Sequence, residues 1–122
     1  MANEIALTVN LAYTKDGATV SMGVSNKLIT VTGKRFAHIR QSIGTTEEAI
    51  DLGDAVPTGG WFVAINRDAT NFVSIRQGTG TTNIIRLNAG EIACFRLHAS
   101  TTAPYAIADT AAVDMEMLLI EN

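Results

Sequence analysis

The sequence predicts an all-β fold, an antiparallel β-sandwich of jelly-roll type, in a single domain spanning residues 1–122. Three observations predict it. Apolar residues recur at every second position in run after run, the period of a strand and not of a helix. Clusters of Gly, Asn, Asp and Thr break these runs at short intervals, giving about eight to ten short strands. No segment has helical periodicity, and no repeat or linker divides the chain.

Ile5, Leu7, Val9, Leu11 and Tyr13 alternate with Ala6, Thr8, Asn10 and Ala12, which predicts a half-buried strand. Lys15-Asp16-Gly17 is its turn, with Gly17 free to take positive φ. Val20, Met22 and Val24 resume the alternation, Ser25-Asn26-Lys27 interrupts it, and residues 28–32 complete a second long strand. Phe36 to Ile43 is a more polar strand. Gly44-Thr45-Thr46-Glu47-Glu48 fits either a capped helical turn or, better, a loop into a short strand from Ala49 to Leu52. The breakers from Gly53 to Gly60 suit a passage from one sheet to the other.

Residues 59–98 hold four apolar runs separated by three turn clusters and read as an antiparallel meander. Trp61, Val63 and Ile65 share one face of the first run, Phe62 and Ala64 the other, so this strand belongs mid-sheet. Asn88-Ala89-Gly90 reads as the tightest hairpin turn, with positive φ expected at Gly90, where a Cβ would be costly. After a loop from Ala99 to Pro104 come a short strand, Tyr105 to Ala108, and an alternating one from Val113. The latter becomes apolar on both faces at Leu118 to Ile120, so it too belongs inside a sheet. The expected core is Leu7, Val9, Leu11, Trp61, Val63, Ile65, Phe95, Leu97, Met115 and Met117.

Composition excludes several classes of function. A net charge of −3 argues against a dedicated nucleic-acid binder. The one cysteine, Cys94, cannot form an internal disulfide. The first residues lack the features of a secretion signal, and no run is long enough for a membrane helix, so the protein is expected in a cytoplasm or released from one by lysis.

Candidate chemistry is sparse. Thr79-Gly80-Thr81 lacks the following Lys and helix of a phosphate loop and reads as a hairpin loop. His38 and His98 have no second ligand at metal spacing, so no metal or cofactor is expected. Cys94 shares a strand face with Arg96 and His98, yet reads as a small packing residue and not a nucleophile. Asp54 and Asp68 sit among turn residues, where Asp bonds the backbone, and Asp51 faces out. Arg67, Arg76, Arg86 and Arg96 fall one on or beside each run of the meander. Either they are scattered, their stems covering apolar surface, or pairing brings some into a basic row for carboxylates of a protein partner.

GTTEEAIDLGD, then GGWFVAINRDATNFVSIR, then IIRLNAGEIACFRL, then AVDMEMLLIE follow one another between about Ile39 and Glu121. This order resembles small structural proteins of tailed bacteriophages, where an Asn-x-Asp-x-Thr-Asn turn and a Leu-x-Ala-Gly-Glu turn flank a strand. The resemblance implies a head decoration (cement) protein: a non-enzymatic sandwich or jelly roll, clamping neighbouring major capsid protein subunits as a homotrimer. It implies a place on the virion head exterior after synthesis in the host cytoplasm, with neither nucleic acid nor membrane as partner. The matching positions are turn residues, so no catalytic or binding residue carries over. A tail or baseplate adaptor, or a glycan-binding module with Trp61 as its platform, is the second expectation. A cupin-like enzyme is the third, and two distant histidines argue against it.

Overall fold

The computed structural model describes residues 3–51, 59–98 and 104–121. These residues form ten strands, every pairing is antiparallel, and there is no helix among them. Contacts group the chain into two compact units, residues 1–32 and 33–122.

The first unit is a hairpin of β1 (Ile5–Lys15) and β2 (Ala18–Ile29). Asp16 and Gly17, with φ of 51° and 82°, form the two-residue loop whose twist matches paired strands. Ser25-Asn26-Lys27 does not break the second strand as expected. The register shifts between Leu7 and Val9, Asn26 takes a φ of 51°, and its amide donates to Thr8 Oγ1 at 3.0 Å. A bulge therefore absorbs the irregularity. At the base Val31 N donates to Glu4 Oε2 at 3.2 Å.

The second unit contains β3 (Phe36–Ile43), β4 (Glu48–Ala49), β5 (Gly59–Asn66), β6 (Val73–Arg76), β7 (Asn83–Leu87), β8 (Ile92–Arg96), β9 (Tyr105–Ala108) and β10 (Val113–Glu121). They make two four-stranded sheets, β3-β10-β5-β8 and β4-β9-β6-β7. The pairings nest: β3 with β10, β4 with β9, β5 with β8, β6 with β7. The unit is thus one long hairpin, turned at β6–β7 and distributed over two sheets. As expected, β5 and β10 lie inside a sheet.

The meander does not form. Of its four strands, β5 and β8 pair in one sheet and β6 and β7 in the other, so only β6–β7 is a hairpin of consecutive strands. The first and last of the three turn clusters instead carry the chain between sheets, and they are tied together by Asn66. Its amide donates to Glu91 O at 3.0 Å, and its carbonyl accepts from Gly90 N at 2.9 Å. Its side chain donates to Asn71 O at 2.9 Å and Leu87 O at 3.0 Å, and accepts from Asp68 N at 2.8 Å. A fully buried amide with this many partners fixes both crossings. Gly90 does have positive φ, 80°, in a turn closed by Glu91 N donating to Asn88 O at 3.0 Å.

Buried residues of both sheets form one hydrophobic cluster, with Phe62, Met115, Met117 and Leu119 from one and Val73, Ile75 and Leu87 from the other. Met115 and Met117 are where the sequence puts them. Phe95 and Leu97 pack against the cluster half-buried, and the Phe62 and Phe95 rings lie 5.3 Å apart. The face of β5 is reversed: Phe62, Ala64 and Asn66 point inward, and Trp61, Val63 and Ile65 lie half-buried on the outer face. Five of those six residues are apolar, so hydrophobicity does not choose between the faces; the partners available to Asn66 go with the inner one. Leu7 is half-buried, and Val9 and Leu11 are exposed, so none of the three joins the core.

Between β3 and β4 there is no helical turn; Glu48 Oε2 accepts from Gly44 N at 3.1 Å, and the strand is Glu48–Ala49. Leu52, and residues 53–58 of the expected crossing segment, lie outside the described residues, although β4 and β5 do sit in different sheets. Glu121 fastens the start of β3, its Oε2 accepting from Lys34 N and Arg35 N at 3.0 Å each.

Candidate protein interface

In an antiparallel pair, residues directly opposite share a face. Across the hairpin Ile5 faces Ile29, Val9 faces Val24, Leu11 faces Met22, and Tyr13 faces Val20. All the large apolar side chains but Leu28 therefore gather on one side. The other side carries small or polar residues, among them Thr8, Asn10, Ala12, Thr14, Thr19 and Ser21. The apolar side is open: Met22 is 82% exposed, Leu11 74%, Val20 62% and Tyr13 55%. Single exposed apolar residues are ordinary, whereas a contiguous apolar row on a strand pair is what sets a candidate interface apart. Sequence alternation identifies these residues as one face but says nothing of what covers it.

The outer face of the β3-β10-β5-β8 sheet is mixed. Phe36, Ile120 and Trp61 lie in one row across it, and His38, Leu118, Val63 and Cys94 in the next. Phe36 is 66% exposed. Farther along, Glu116 is held from two sides, His38 Nε2 lying 2.6 Å from Oε2 and Arg67 Nε donating to Oε1 at 2.8 Å. The bonds to His38, then to Arg67, hold its carboxyl below the usual range. Arg40 pairs with Asp114 beside it. This network was not legible in the sequence, because His38 and Glu116 are 78 positions apart.

The four arginines do not form a row. Arg67 follows β5 and Arg96 pairs with Trp61 near the opposite end of that strand; Arg76 and Arg86 belong to the other sheet. Arg67 is engaged by Glu116, and Arg76 Nη1 lies 2.7 Å from Glu47 Oε2. The Arg86 guanidinium lies 3.7 Å from the Phe72 ring centre, and Arg96 sits 5.9 Å from that of Trp61. This is the scattered arrangement, each charge serving its own neighbourhood.

The remaining candidates are structurally occupied. Burial pushes the Cys94 thiol up, away from the thiolate a nucleophile needs. Asp68 accepts from Asn71 N at 2.7 Å and Thr70 N at 3.0 Å, and those amides hold its carboxyl low. Asp51 is exposed, its amide donating to Gln41 Oε1 at 2.8 Å, while Asp54 lies outside the described residues. Gly80 lies at the β6–β7 connection with a φ of 69°. Among the described residues no group of His, Cys, Asp and Glu is arranged to hold a metal ion. Trp61 is half-buried on the outer face, with its indole nitrogen shielded from solvent. No described helix is long and apolar enough to cross a membrane. No protein-family model matches the chain, and no curated protein or solved structure is significantly similar to it.

Proposed function

We propose that the protein is a non-enzymatic structural subunit that acts as a symmetric oligomer, a homotrimer, on a repeating protein lattice, in the manner of a phage-head decoration protein binding across major capsid protein subunits. The observation that carries this reading is the open apolar face of the hairpin, a binding surface built from side chains with no chemistry to perform. We take the second unit as a jelly-roll β-sandwich. In support, its eight strands, counted from β3, run 1-8-3-6 in one sheet and 2-7-4-5 in the other, the order of two nested Greek keys. The step from that fold to a capsid is analogy, joined to the order of sequence motifs described above. A lattice suits a small β-protein because many weak contacts, each repeated by symmetry, add up to high avidity.

The test is to measure the mass of the protein in solution by light scattering and then add it to phage heads lacking a decoration protein. Binding at a fixed ratio to the major capsid protein, with increased resistance to heat or osmotic shock, is the expected result. A monomer that leaves the heads unbound and no more resistant would overturn the reading.

A further inference from the structure

We infer that the apolar face of the β1–β2 hairpin docks on the same face of a second copy, the two hairpins packing face to face about a two-fold axis. The inference rests on the proposed function only in taking the protein to be an oligomer. An isologous contact joins copies in pairs, so it links one homotrimer to another and is distinct from the contact that closes each trimer. Two strands alone are marginal in water; stability comes from further strands or from covering the apolar face. Here the face is uncovered along most of its length, with Val9, Leu11, Tyr13, Val20, Met22 and Val24 all exposed. Burying these six side chains removes on the order of 500 Å² from water per copy, taking each at the area implied by its transfer energy. With the flanking rim, that approaches the roughly 800 Å² per partner of a stable interface.

The charges choose the occupant. Residues 1–32 carry only Glu4, Lys15, Asp16 and Lys27, two of each sign, whereas the whole chain has a net charge of −3. The hairpin is therefore where copies approach without net repulsion. From Ile5 to Thr14, and from Ala18 to Asn26, there is no charged residue to bury. A two-fold axis near the middle of the strands runs the hairpins in opposite directions. It sets Lys15 and Asp16 at one tip beside Glu4 and Lys27 at the other base, so opposite charges meet at both ends. An isologous contact needs this self-complementarity, residue i meeting j while j meets i.

Sedimentation analysis of the full chain, alone and with single substitutions, tests the inference. Leu11→Glu or Met22→Glu puts a charge in the middle of the face and is expected to weaken copy-to-copy association at least tenfold. Ala12→Glu, the same charge on the opposite face, is expected to leave it unchanged, with circular dichroism checking that all three fold. Leu11→Cys on a Cys94→Ser background is expected to give a disulfide-linked dimer on mild oxidation, because Leu11 lies near the axis. Undiminished association of both Glu variants, or a wild-type chain that stays monomeric at high concentration, would overturn the inference. Association lost in the Glu variants by a protein that does not bind phage heads would support it while removing the capsid reading.

Discussion

The hairpin and the eight-stranded unit follow the same alternating pattern and end in opposite states. In β10, Val113, Met115, Met117 and Leu119 are at most 1% exposed. In β1, Val9, Leu11 and Tyr13 are 46–74% exposed. The strands differ little in hydrophobicity. What differs is topology: the nested pairing gives β10 a neighbour on each side and a second sheet contributing to the same core, whereas β1 pairs only with β2. Alternation therefore specifies which residues share a face, and topology determines whether the unit's own strands cover it.

The largest test of that contrast is truncation on each side of it. Phe62 is fully buried and packs its ring on Phe95, so Phe62→Ala is expected to cost about 3–5 kcal/mol. Leu11→Ala, measured at concentrations too low for association, is expected to change stability by no more than about 0.5 kcal/mol. Equal effects in chemical denaturation would break the comparison. Hydrogen exchange sharpens it: β1 and β2 amides should exchange faster than those of β10 in dilute protein and slow as concentration rises.

Much of the fold was legible because strand existence depends on local pattern. The strands beginning at Phe36, Tyr105 and Val113, the Asp16-Gly17 turn, and the interior positions of β5 and β10 follow from alternation and turn residues. Pairing does not follow from local pattern. The turns after Asn66 and Leu87 contain the residues that hairpins favour, yet both cross between sheets, since the same Asn, Asp and Gly serve any reversal of the chain. The face of β5 was ambiguous for a related reason. Trp61, Val63 and Ile65 outweigh Phe62 and Ala64 in apolar bulk, and only the hydrogen bonds of Asn66, formed with residues up to 25 positions away, distinguish the inner side. The hairpin face was legible as a set of residues and its exposure was not.

Asn66 gives the next largest effect, and it tests whether a polar group organises the core of the second unit. Asn66→Ala leaves the buried Leu87 carbonyl without its amide donor and is expected to cost about 2–3 kcal/mol. Asn66→Asp retains an acceptor for Asp68 N but loses both amide donations, and should be at least as destabilising. A small change in either variant would mean that apolar packing alone positions β5. Gly90→Val is smaller, about 1–2 kcal/mol, the cost of a side chain at a φ of 80°; no atom lies within 4 Å of the added Cβ, so the effect is backbone strain and not collision.

The smallest expected effect concerns acid, and it separates the two regions by their charges. Glu116 and Asp68, both in the second unit, have carboxyl groups held below the ordinary range, Glu116 by its bonds to His38 and Arg67, Asp68 by the amides of Asn71 and Thr70. A group whose folded pKa lies below its unfolded one stabilises the fold above the unfolded value and loses that contribution as pH falls through the folded one. The melting temperature should therefore fall only when pH drops into and below the ordinary carboxylate range. Both groups reach solvent, so the slope should be shallow and weaken further with salt at Glu116, where the partners are side chains, more than at Asp68, where they are backbone amides. Glu116→Gln should lower the melting temperature slightly at neutral pH and flatten its acid limb. If Glu116→Gln melts below wild type by the same margin at every pH, the carboxylate contributes through packing and not through its charge.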